Sequence, residues 1–182
     1  MSEPDPTTKR TARRALLKYA LLAFVLVGGC NTDLVTKQLA TERLEGGEKV
    51  EVVSGFLDLR YTENDASAFS LLSSVDPDIR FPILVAGPLL TSLIVAVLLV
   101  IKRRRAAREL LPFALILAGG LGNLIDRLRF GHVVDFIHFH VRDSFSWPIF
   151  NVADVLIVIG IGLLLLQTMR AGGRATPVGA GT

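Results

Sequence analysis

Cysteine is nearly absent from this sequence: Cys30 is the only one, so no disulfide within the chain can hold its fold together. Histidine is also scarce, with three residues, and no HExxH sequence is present, which removes the helical zinc signature of many metalloproteases. Apolar residues are abundant instead. They make up 51% of the 182 residues and form long uncharged stretches, which is typical of a membrane protein.

Charged residues are missing from the whole segment 81–101. A helix of this length spans about 30 Å at about 1.5 Å per residue, which is the thickness of the hydrocarbon core of a bilayer. Three further apolar segments, at about 15–35, 110–125 and 150–169, complete a set of four. The sequence therefore predicts an all-α membrane protein with four transmembrane helices.

Positive charge is concentrated on one side of these spans. Most of the 20 Lys and Arg residues precede the first span, fill the short loop between the second and third spans, or follow the fourth. The positive-inside rule assigns such segments to the cytoplasm, so we expect both termini there, as a basic tail at 1–14 and a Gly-rich, disordered tail at 171–182. Because the basic residues flank apolar spans, we expect no nucleic-acid partner.

Two segments, 36–80 and 126–149, remain for the outer side of the membrane. The first is enriched in acidic residues, and its alternating, β-branched stretches at 49–53 and 55–62 predict two short strands joined by a Ser-Gly turn. The second is rich in aromatic residues, which suit a membrane interface. We therefore expect a small extracytoplasmic β-rich platform and an interfacial loop.

Three aspartates lie at the outer ends of three different spans. Asp33, Asp126 and Asp154 are about 22, 27 and 24 Å along their helices from the basic residues at the cytoplasmic end, so they share one layer near the outer boundary. The last two each follow an asparagine by three residues, Asn123 and Asn151, which on a helix puts amide and carboxylate on one face. Carboxylates gathered with orienting polar groups are what an aspartic-type hydrolase requires.

Other interpretations remain open from the residues alone. Small transporters and channels also carry acidic residues in their helices, although near the midplane. A zinc-dependent membrane hydrolase would use His132, His138 and His140 with Asp135, although three histidines in an interfacial loop are more typical of surface groups. Cys30 follows a basic and then an apolar stretch, as in a lipobox, but cleavage there would detach the first span from its aspartate.

Five short motifs follow one another along the chain: DLVTK at 33–37, NDASAF at 64–69, GNLIDR at 122–127, VVDF at 133–136 and FNVAD at 150–154. On a four-span frame they resemble the lipoprotein signal peptidases, the type II signal peptidases of bacteria, and the likeness covers nearly the whole chain. Leu34 stands where the family usually has Gln, and Ala66 and Ser67 replace the usual Gly-Ala. These departures touch the edge of the site and affect the fit of the substrate rather than the acids.

The resemblance implies an aspartyl endopeptidase that uses neither a metal nor a cofactor. It also implies a multi-pass monomer of the bacterial cytoplasmic membrane, with a four-span peptidase domain at 15–170 and its active site on the outer-leaflet side. The implied partners are membrane lipid and prolipoproteins whose cysteine already carries diacylglycerol. The signal peptide is removed by a cut on the amino side of that cysteine.

The resemblance also assigns roles to individual residues. The two catalytic aspartates of the family correspond to Asp135 and Asp154, whereas spacing alone favours Asp126 and Asp154. Asp33 and Lys37 are expected to form a structural ion pair near the site. The residues implied to orient the catalytic pair or to bind substrate are Asn64, Asn123, Asp126, Arg127 and Asn151.

Physical reasoning agrees with the choice of Asp135. Arg127 directly follows Asp126, which suits a fixed carboxylate whose charge is compensated by its neighbour. Asp135 instead lies among valines and a phenylalanine, where apolar surroundings raise the pKa of a carboxyl group and let it hold a proton. An acid–base pair requires one acid that is easily protonated and one that is not.

Overall fold

The computed structural model describes residues 6–65, 76–142 and 144–172. Four long apolar helices and a small antiparallel sheet form the chain, which confirms the predicted fold class. The elements in chain order are α1 (Pro6–Leu44), β1 (Lys49–Val53), β2 (Leu57–Asn64), α2 (Pro77–Ile101), α3 (Ala107–Phe130), β3 (Val133–Val141), β4 (Phe145–Ser146) and α4 (Val152–Gly172).

Each of the four helices is long and apolar enough to cross a membrane. Helix α3 lies at the centre and packs against α1, α2 and α4. Small residues allow helix backbones to approach closely, and glycines on α3 mark these contacts. A Cβ atom at Gly119, for example, would overlap the backbone carbonyl of Ala153 on α4. The central helix therefore carries its polar residues into the middle of the bundle.

Helix α1 is longer than the span predicted for it at 15–35. It begins at Pro6, inside the predicted basic tail at 1–14, and continues to Leu44, inside the predicted outer segment. Its last turns stay helical because they are packed: Ala40 and Leu44 form a buried cluster with Phe136 of β3. Tertiary contact thus extends the helix beyond its apolar run, which hydropathy cannot reveal.

The ends of the other helices also differ from the predicted spans. Helix α3 covers 107–130 rather than about 110–125, and it ends where Gly131 adopts a φ of 82° and donates its N–H to the carbonyl of Arg127. Helix α4 continues to Gly172, so the first two residues of the predicted disordered tail are helical. The rest of that tail, 173–182, lies outside the described residues, as do positions 66–69 of the NDASAF motif.

The basic N-terminal part of α1 lies against the basic loop between α2 and α3. Lys18 Nζ on α1 donates hydrogen bonds to the backbone carbonyl oxygens of Arg103 (2.7 Å) and Arg105 (3.4 Å) in the loop between α2 and α3. Lys18 therefore joins α1 to the turn that follows the C-terminal end of α2. The predicted grouping of these basic segments at one end of the bundle is present in the fold.

The sheet has the strand order β1-β2-β3-β4, with antiparallel neighbours. The first strand coincides with its predicted range, and β2 begins two residues later than the predicted range 55–62. The prediction of an interfacial loop at 126–149 was wrong, because this segment supplies β3 and β4. Strand β3 has the β-branched and aromatic residues of a strand, but its pairing with β2 joins segments far apart in sequence.

Candidate active site

Asn123 lies at the centre of a polar cluster that α3 carries between α1 and α4. Its Nδ2 donates to Asp154 Oδ1 (2.9 Å), while its Oδ1 accepts from Lys37 Nζ (2.8 Å) and from Asn151 Nδ2 (3.2 Å). One amide therefore bonds to residues from two other helices and from the turn before α4. Because Asn123 is buried, these bonds satisfy groups that water does not reach.

Lys37 supplies the positive charge of this cluster. Its ammonium lies 2.8 Å from Asp33 Oδ2 and 2.9 Å from Asp126 Oδ2, and its side chain is 3% exposed. Together with Asn123 Oδ1, these atoms engage all three donors of the ammonium group. The ion pair expected between Asp33 and Lys37 is present, and a second carboxylate shares the same lysine.

The Asp33 carboxylate joins α1 to the start of α4. Its Oδ1 accepts a hydrogen bond from the backbone N–H of Ala153 at 2.8 Å, and the residue has no solvent exposure. A Cβ atom at Gly122 would overlap the Asp33 carboxylate, so α3 needs a glycine at the point where this side chain passes. Backbone N–H groups at the first turn of a helix favour a negatively charged partner.

Asp126 plays a different structural part from the one that its neighbour suggested. Its direct ion pair is with Lys37, while Arg127, which the sequence favoured, interacts with its charge without forming an ion pair among the described residues. Asp126 Oδ2 also accepts from the backbone N–H of Val134 at 3.2 Å, which ties the end of α3 to the start of β3. The side chain of Arg127 leaves the helix in another direction, because consecutive residues on a helix do not share a face.

Asn151 is the N-cap of α4. Its Oδ1 accepts from the N–H of Asp154 (3.0 Å), and the Asp154 carboxylate accepts from the N–H of Asn151 (3.1 Å), which is a reciprocal capping arrangement. The spacing sets Asn151 beside Asp154 as predicted, but Asn151 lies at the cap just before the helix and not inside it. Asn and Asp are favoured at N-caps because their side chains replace missing backbone acceptors.

Asp135 lies on β3 and is held by two asparagines. Asn64 Nδ2 donates to its Oδ2 at 2.8 Å, and Asn151 Nδ2 donates to its Oδ1 at 2.5 Å. The residue is 2% exposed, and burial raises the pKa of Asp135 to about 6, aided by the negative charge of Asp154 and opposed by the two amide hydrogen bonds. This carboxyl group is therefore the one that keeps a proton to higher pH.

Asp154 has a more polar environment. It is half-buried, it lies in the first turn of α4, and its carboxylate accepts from Asn123 and from the backbone N–H of Asn151. The guanidinium of Arg127 is close enough to interact with the charge of Asp154 and of Asp135. The positive end of a helix dipole and a nearby cation both stabilise a negative charge, and Asp154 lies beside both.

An apolar cavity of about 430 Å³ opens beside these polar groups. Its walls come from α2, α3 and α4, and at one end they include Asn123 and Arg127. Most of the remaining lining is aliphatic or glycine, from Gly87 and Val95 to Ile161. A cavity of this shape suits an apolar ligand segment that has one polar group at the end near the carboxylates.

The histidines occupy positions that the sequence did not predict. His138 is 6% exposed and His140 is half-buried, so the interpretation of all three as surface groups was wrong. Both lie beside Asp58 of β2, a buried acid that motif reasoning missed. A signal was present, because His138 and His140 are two residues apart and such residues share one face of a strand.

Comparison with known proteins places these residues in a family. The family model described as signal peptidase (SPase) II matches residues 22–170. The lipoprotein signal peptidase of Clostridium tetani is 35% identical over 149 residues, covering 82% of this chain and 92% of that protein. The lipoprotein signal peptidase of Azoarcus sp. is 37% identical over 169 residues, covering 90% of this chain and 89% of that protein.

The fold is also found among solved structures. A bacterial membrane enzyme solved by the in meso method superposes with a TM-score of 0.68 at 25% sequence identity, covering 89% of this chain and 95% of that one. A second structure of a bacterial membrane enzyme gives the same TM-score at 26% identity.

Proposed function

The chain belongs to the signal peptidase II family, and we propose that it removes signal peptides from prolipoproteins with Asp135 and Asp154 as its catalytic carboxylates. The observation that carries this proposal is the bonding of Asn151 to both acids. Its amide donates to Asp135, while its own backbone and side chain form the capping bonds with Asp154. A single residue thus sets the relative position of the two carboxyl groups.

The different environments of the two acids assign their roles. Asp135 is buried, with a pKa raised to about 6, and acts as the protonated member that donates a hydrogen bond to the scissile carbonyl oxygen. Asp154 is ionised and acts as the general base that takes a proton from the attacking water. Asn64, Asn123 and Arg127 hold these groups and face the substrate.

The reaction then follows in two steps. The water oxygen bonds to the carbonyl carbon while its proton passes to Asp154, and Asp135 donates its proton to the developing oxyanion. The tetrahedral intermediate collapses as Asp135 takes the proton back. The C–N bond breaks, and the leaving amino group receives the proton held by Asp154, which restores the starting protonation of the pair.

The substrate is a prolipoprotein whose cysteine carries diacylglycerol, and the bond on the amino side of this cysteine is cut. The apolar cavity between α2, α3 and α4 takes the apolar part of the signal peptide, because its lining is aliphatic and it ends at Asn123 and Arg127. The exposed apolar side chains of the bundle face lipid, so the acyl chains of the substrate stay in the bilayer.

The protein is a multi-pass protein of the bacterial cytoplasmic membrane. The basic segments orient it with both termini in the cytoplasm and the carboxylate cluster on the outer-leaflet side, where the sheet lies. We propose a monomer that binds lipid and prolipoprotein but no nucleic acid, since its basic residues flank apolar spans. The site is supported by the buried ion pairs of Lys37 with Asp33 and Asp126.

The test is cleavage of a synthetic diacylglyceryl-prolipoprotein by the purified protein in detergent, followed by gel mobility and by mass spectrometry of the new N-terminus. Asp135→Asn and Asp154→Asn should each lower the rate at least about 100-fold, since general acid–base groups contribute that much or more. Glu63→Gln, which removes an exposed carboxylate next to Asn64, is the matched control and should keep the wild-type rate.

Each variant is also checked for an unchanged thermal midpoint, so that lost activity is not lost folding. A prolipoprotein whose cysteine lacks diacylglycerol should not be cut. Near-normal turnover by either aspartate variant would remove that residue from the mechanism, and equal cleavage of the unmodified substrate would overturn the assigned substrate class.

A further inference from the structure

A second cluster of ligating side chains lies on the sheet, outside the carboxylate site. Asp58 on β2 is directly opposite His138 on β3, and His140 lies one pleat further along the same strand. One ligand atom from each of the three residues can be chosen so that all lie within 4.8 Å of one another. Residues at even spacing on a strand share a face, so the register of β2 and β3 builds this cluster.

The cluster is buried and its polar atoms are poorly satisfied. Asp58 is 2% exposed and His138 is 6% exposed. Asp58 Oδ1 is a buried atom with no hydrogen-bond partner among the described residues, and the buried atoms His138 Nδ1 and His140 Nε2 face the other oxygen of the same carboxylate without a well-aligned hydrogen bond. Buried polar atoms without a hydrogen bond are uncommon, and an ion is one of the explanations for such a group.

The outer nitrogen of each imidazole is already engaged. His140 Nδ1 lies 3.4 Å from the backbone carbonyl oxygen of Arg142, which favours the tautomer with the proton on this nitrogen. His138 Nε2 lies 2.8 Å from Ser146 Oγ. In metal sites the second nitrogen of a ligating histidine is held by such an oxygen, which leaves the first nitrogen free to bind the metal.

The other ring nitrogen of each histidine lies toward Asp58. His140 Nε2 lies 2.9 Å and His138 Nδ1 lies 3.6 Å from Asp58 Oδ2. Ligand atoms that lie about 2.0–2.2 Å from a tetrahedral zinc ion are about 3.3 Å from one another. The distances of the two ring nitrogens from Asp58 Oδ2 bracket this value. Two ring nitrogens and a carboxylate oxygen that converge on one point have the arrangement of ligands around a cation.

We propose that Asp58, His138 and His140 bind a divalent transition-metal ion of the zinc class. Two imidazole nitrogens and one carboxylate oxygen are ligands that such ions prefer. A cavity of about 360 Å³, which both histidines line, leaves room for water at a fourth position. The ion crosslinks β2 to β3 and so stabilises the strand that carries Asp135.

This site is separate from the cleavage chemistry. Asp135 and His138 are three residues apart on β3, about 10 Å along a strand, and their side chains point to opposite faces. The ion therefore cannot reach the carboxylate pair. The proposal rests on the sheet alone and does not depend on the assigned peptidase mechanism.

Lys49 competes with the ion for Asp58. Its Nζ lies 2.8 Å from Asp58 Oδ2, but its side chain is 52% exposed, so it can move into solvent when the carboxylate binds a metal. Arg60 and Arg142 line the same cavity and also oppose a cation. Removal of the Lys49 charge should therefore tighten metal binding, which gives a test that does not weaken the fold through a lost ligand.

The experiment uses the full chain, purified with a tag that contains no histidine and freed of metal with a chelator. Zinc chloride is titrated by calorimetry, and Co²⁺ absorption reports a tetrahedral site with nitrogen ligands. Wild type should bind one equivalent and gain thermal stability. His138→Gln and His140→Gln should each weaken binding about 100-fold or more, beyond the 10–100-fold cost of losing an outer-shell partner.

His132→Gln is the matched control, because this histidine lies outside the cluster and pairs with Glu63 instead. It should bind zinc as wild type does, and Lys49→Met should bind it about 10-fold more tightly. Absence of saturable binding by wild type would overturn the proposal. So would equal affinity in wild type and His140→Gln, or a Lys49→Met variant that gains no affinity.

Discussion

Lys37 Nζ lies 2.9 Å from Asp126 Oδ2, with each side chain 3% exposed, so α1 and α3 are joined by an ion pair that solvent does not reach. The same ammonium binds Asp33, whose other oxygen accepts from the start of α4. One lysine therefore connects three helices beneath the proposed catalytic pair. A charge in such a position is costly unless it is paired, which makes this lysine a sensitive point of the fold.

Lys37→Met should strongly destabilise the protein. The substitution leaves two buried carboxylates without their counter-charge, and breaking a buried pair costs on the order of 3–5 kcal/mol. The thermal midpoint in detergent measures the loss. Arg105→Met is the control, since Arg105 pairs with Glu109 at 3.6 Å while 70% exposed, and such pairs contribute about 1 kcal/mol or less. Equal midpoints in the two variants would contradict the structural role of Lys37.

Asp126→Asn should lose both stability and activity. Lys37 would keep one of its two carboxylates, and the bond from the Val134 N–H would be weakened, so α3 would hold β3 less firmly. The expected loss is smaller than that of Lys37→Met, because one ion pair remains. A variant with an unchanged thermal midpoint and no activity would instead assign Asp126 to the catalytic chemistry.

Gly122→Ala should destabilise the bundle, because the added Cβ would overlap the Asp33 carboxylate. Overpacking of this kind costs about 1–3 kcal/mol. Gly162→Ala is the matched control on α4, where a Cβ meets no atom within 4 Å. The control should be neutral or gain up to about 1 kcal/mol, as glycine is a poor helix former. A Gly122→Ala variant as stable as Gly162→Ala would refute the close approach.

Cleavage should show a bell-shaped dependence on pH. The pKa of Asp135 is raised to about 6, so the proton needed for its role is present below this value and is lost as pH rises through it. The alkaline limb of kcat/KM, which reports the free enzyme, should fall in this range, and the acid limb should follow protonation of the other carboxylate. A rate that climbs steadily into alkaline pH would contradict this mechanism.

Asn64→Ala should move the alkaline limb to higher pH. The hydrogen bond from Asn64 stabilises the ionised form of Asp135 and lowers the pKa of this group. Without this bond, Asp135 should keep its proton to higher pH. Tyr61→Phe, on the same strand, removes a hydroxyl that bonds Glu63 and should leave the limb in place. A limb that stays or moves to lower pH in Asn64→Ala would argue against Asp135 as the protonated acid.

Chelation should leave the initial rate of cleavage unchanged at temperatures below the unfolding transition. Two carboxylates and a water suffice for the proposed reaction, and the proposed metal site lies on the other face of the sheet. Initial rates with and without EDTA provide the measurement. A rate that collapses with EDTA and recovers with zinc would favour a zinc-dependent hydrolase that uses the histidines.

The four helices could be predicted because length and hydropathy are local properties of the chain. The same holds for β1, whose predicted range at 49–53 is confirmed. The interfacial loop at 126–149 could not be predicted correctly. Strand β3 is defined by its pairing with β2, and the contact between Asn64 and Asp135 joins residues 71 positions apart.

The carboxylate layer was also accessible from the sequence, since the distance of each aspartate from a basic helix end follows from the helical rise. The cations that pair with these carboxylates could not be predicted from the sequence. Adjacency in sequence favoured Arg127 for Asp126, whereas folding brings Lys37 to it from another helix. Likewise, Asp58 had no motif to mark it, and only the register of β2 and β3 sets it beside the histidines.

The sequence by itself determined the membrane class, the number of spans and the motifs of the family, because these depend on composition and spacing along the chain. The tertiary structure decided which charges are paired, how deeply Asp135 is buried beside Asp154, and which side chains form a second cluster. The physical reason is that ion pairing and desolvation depend on distances between segments that meet only when the helices and the sheet pack together.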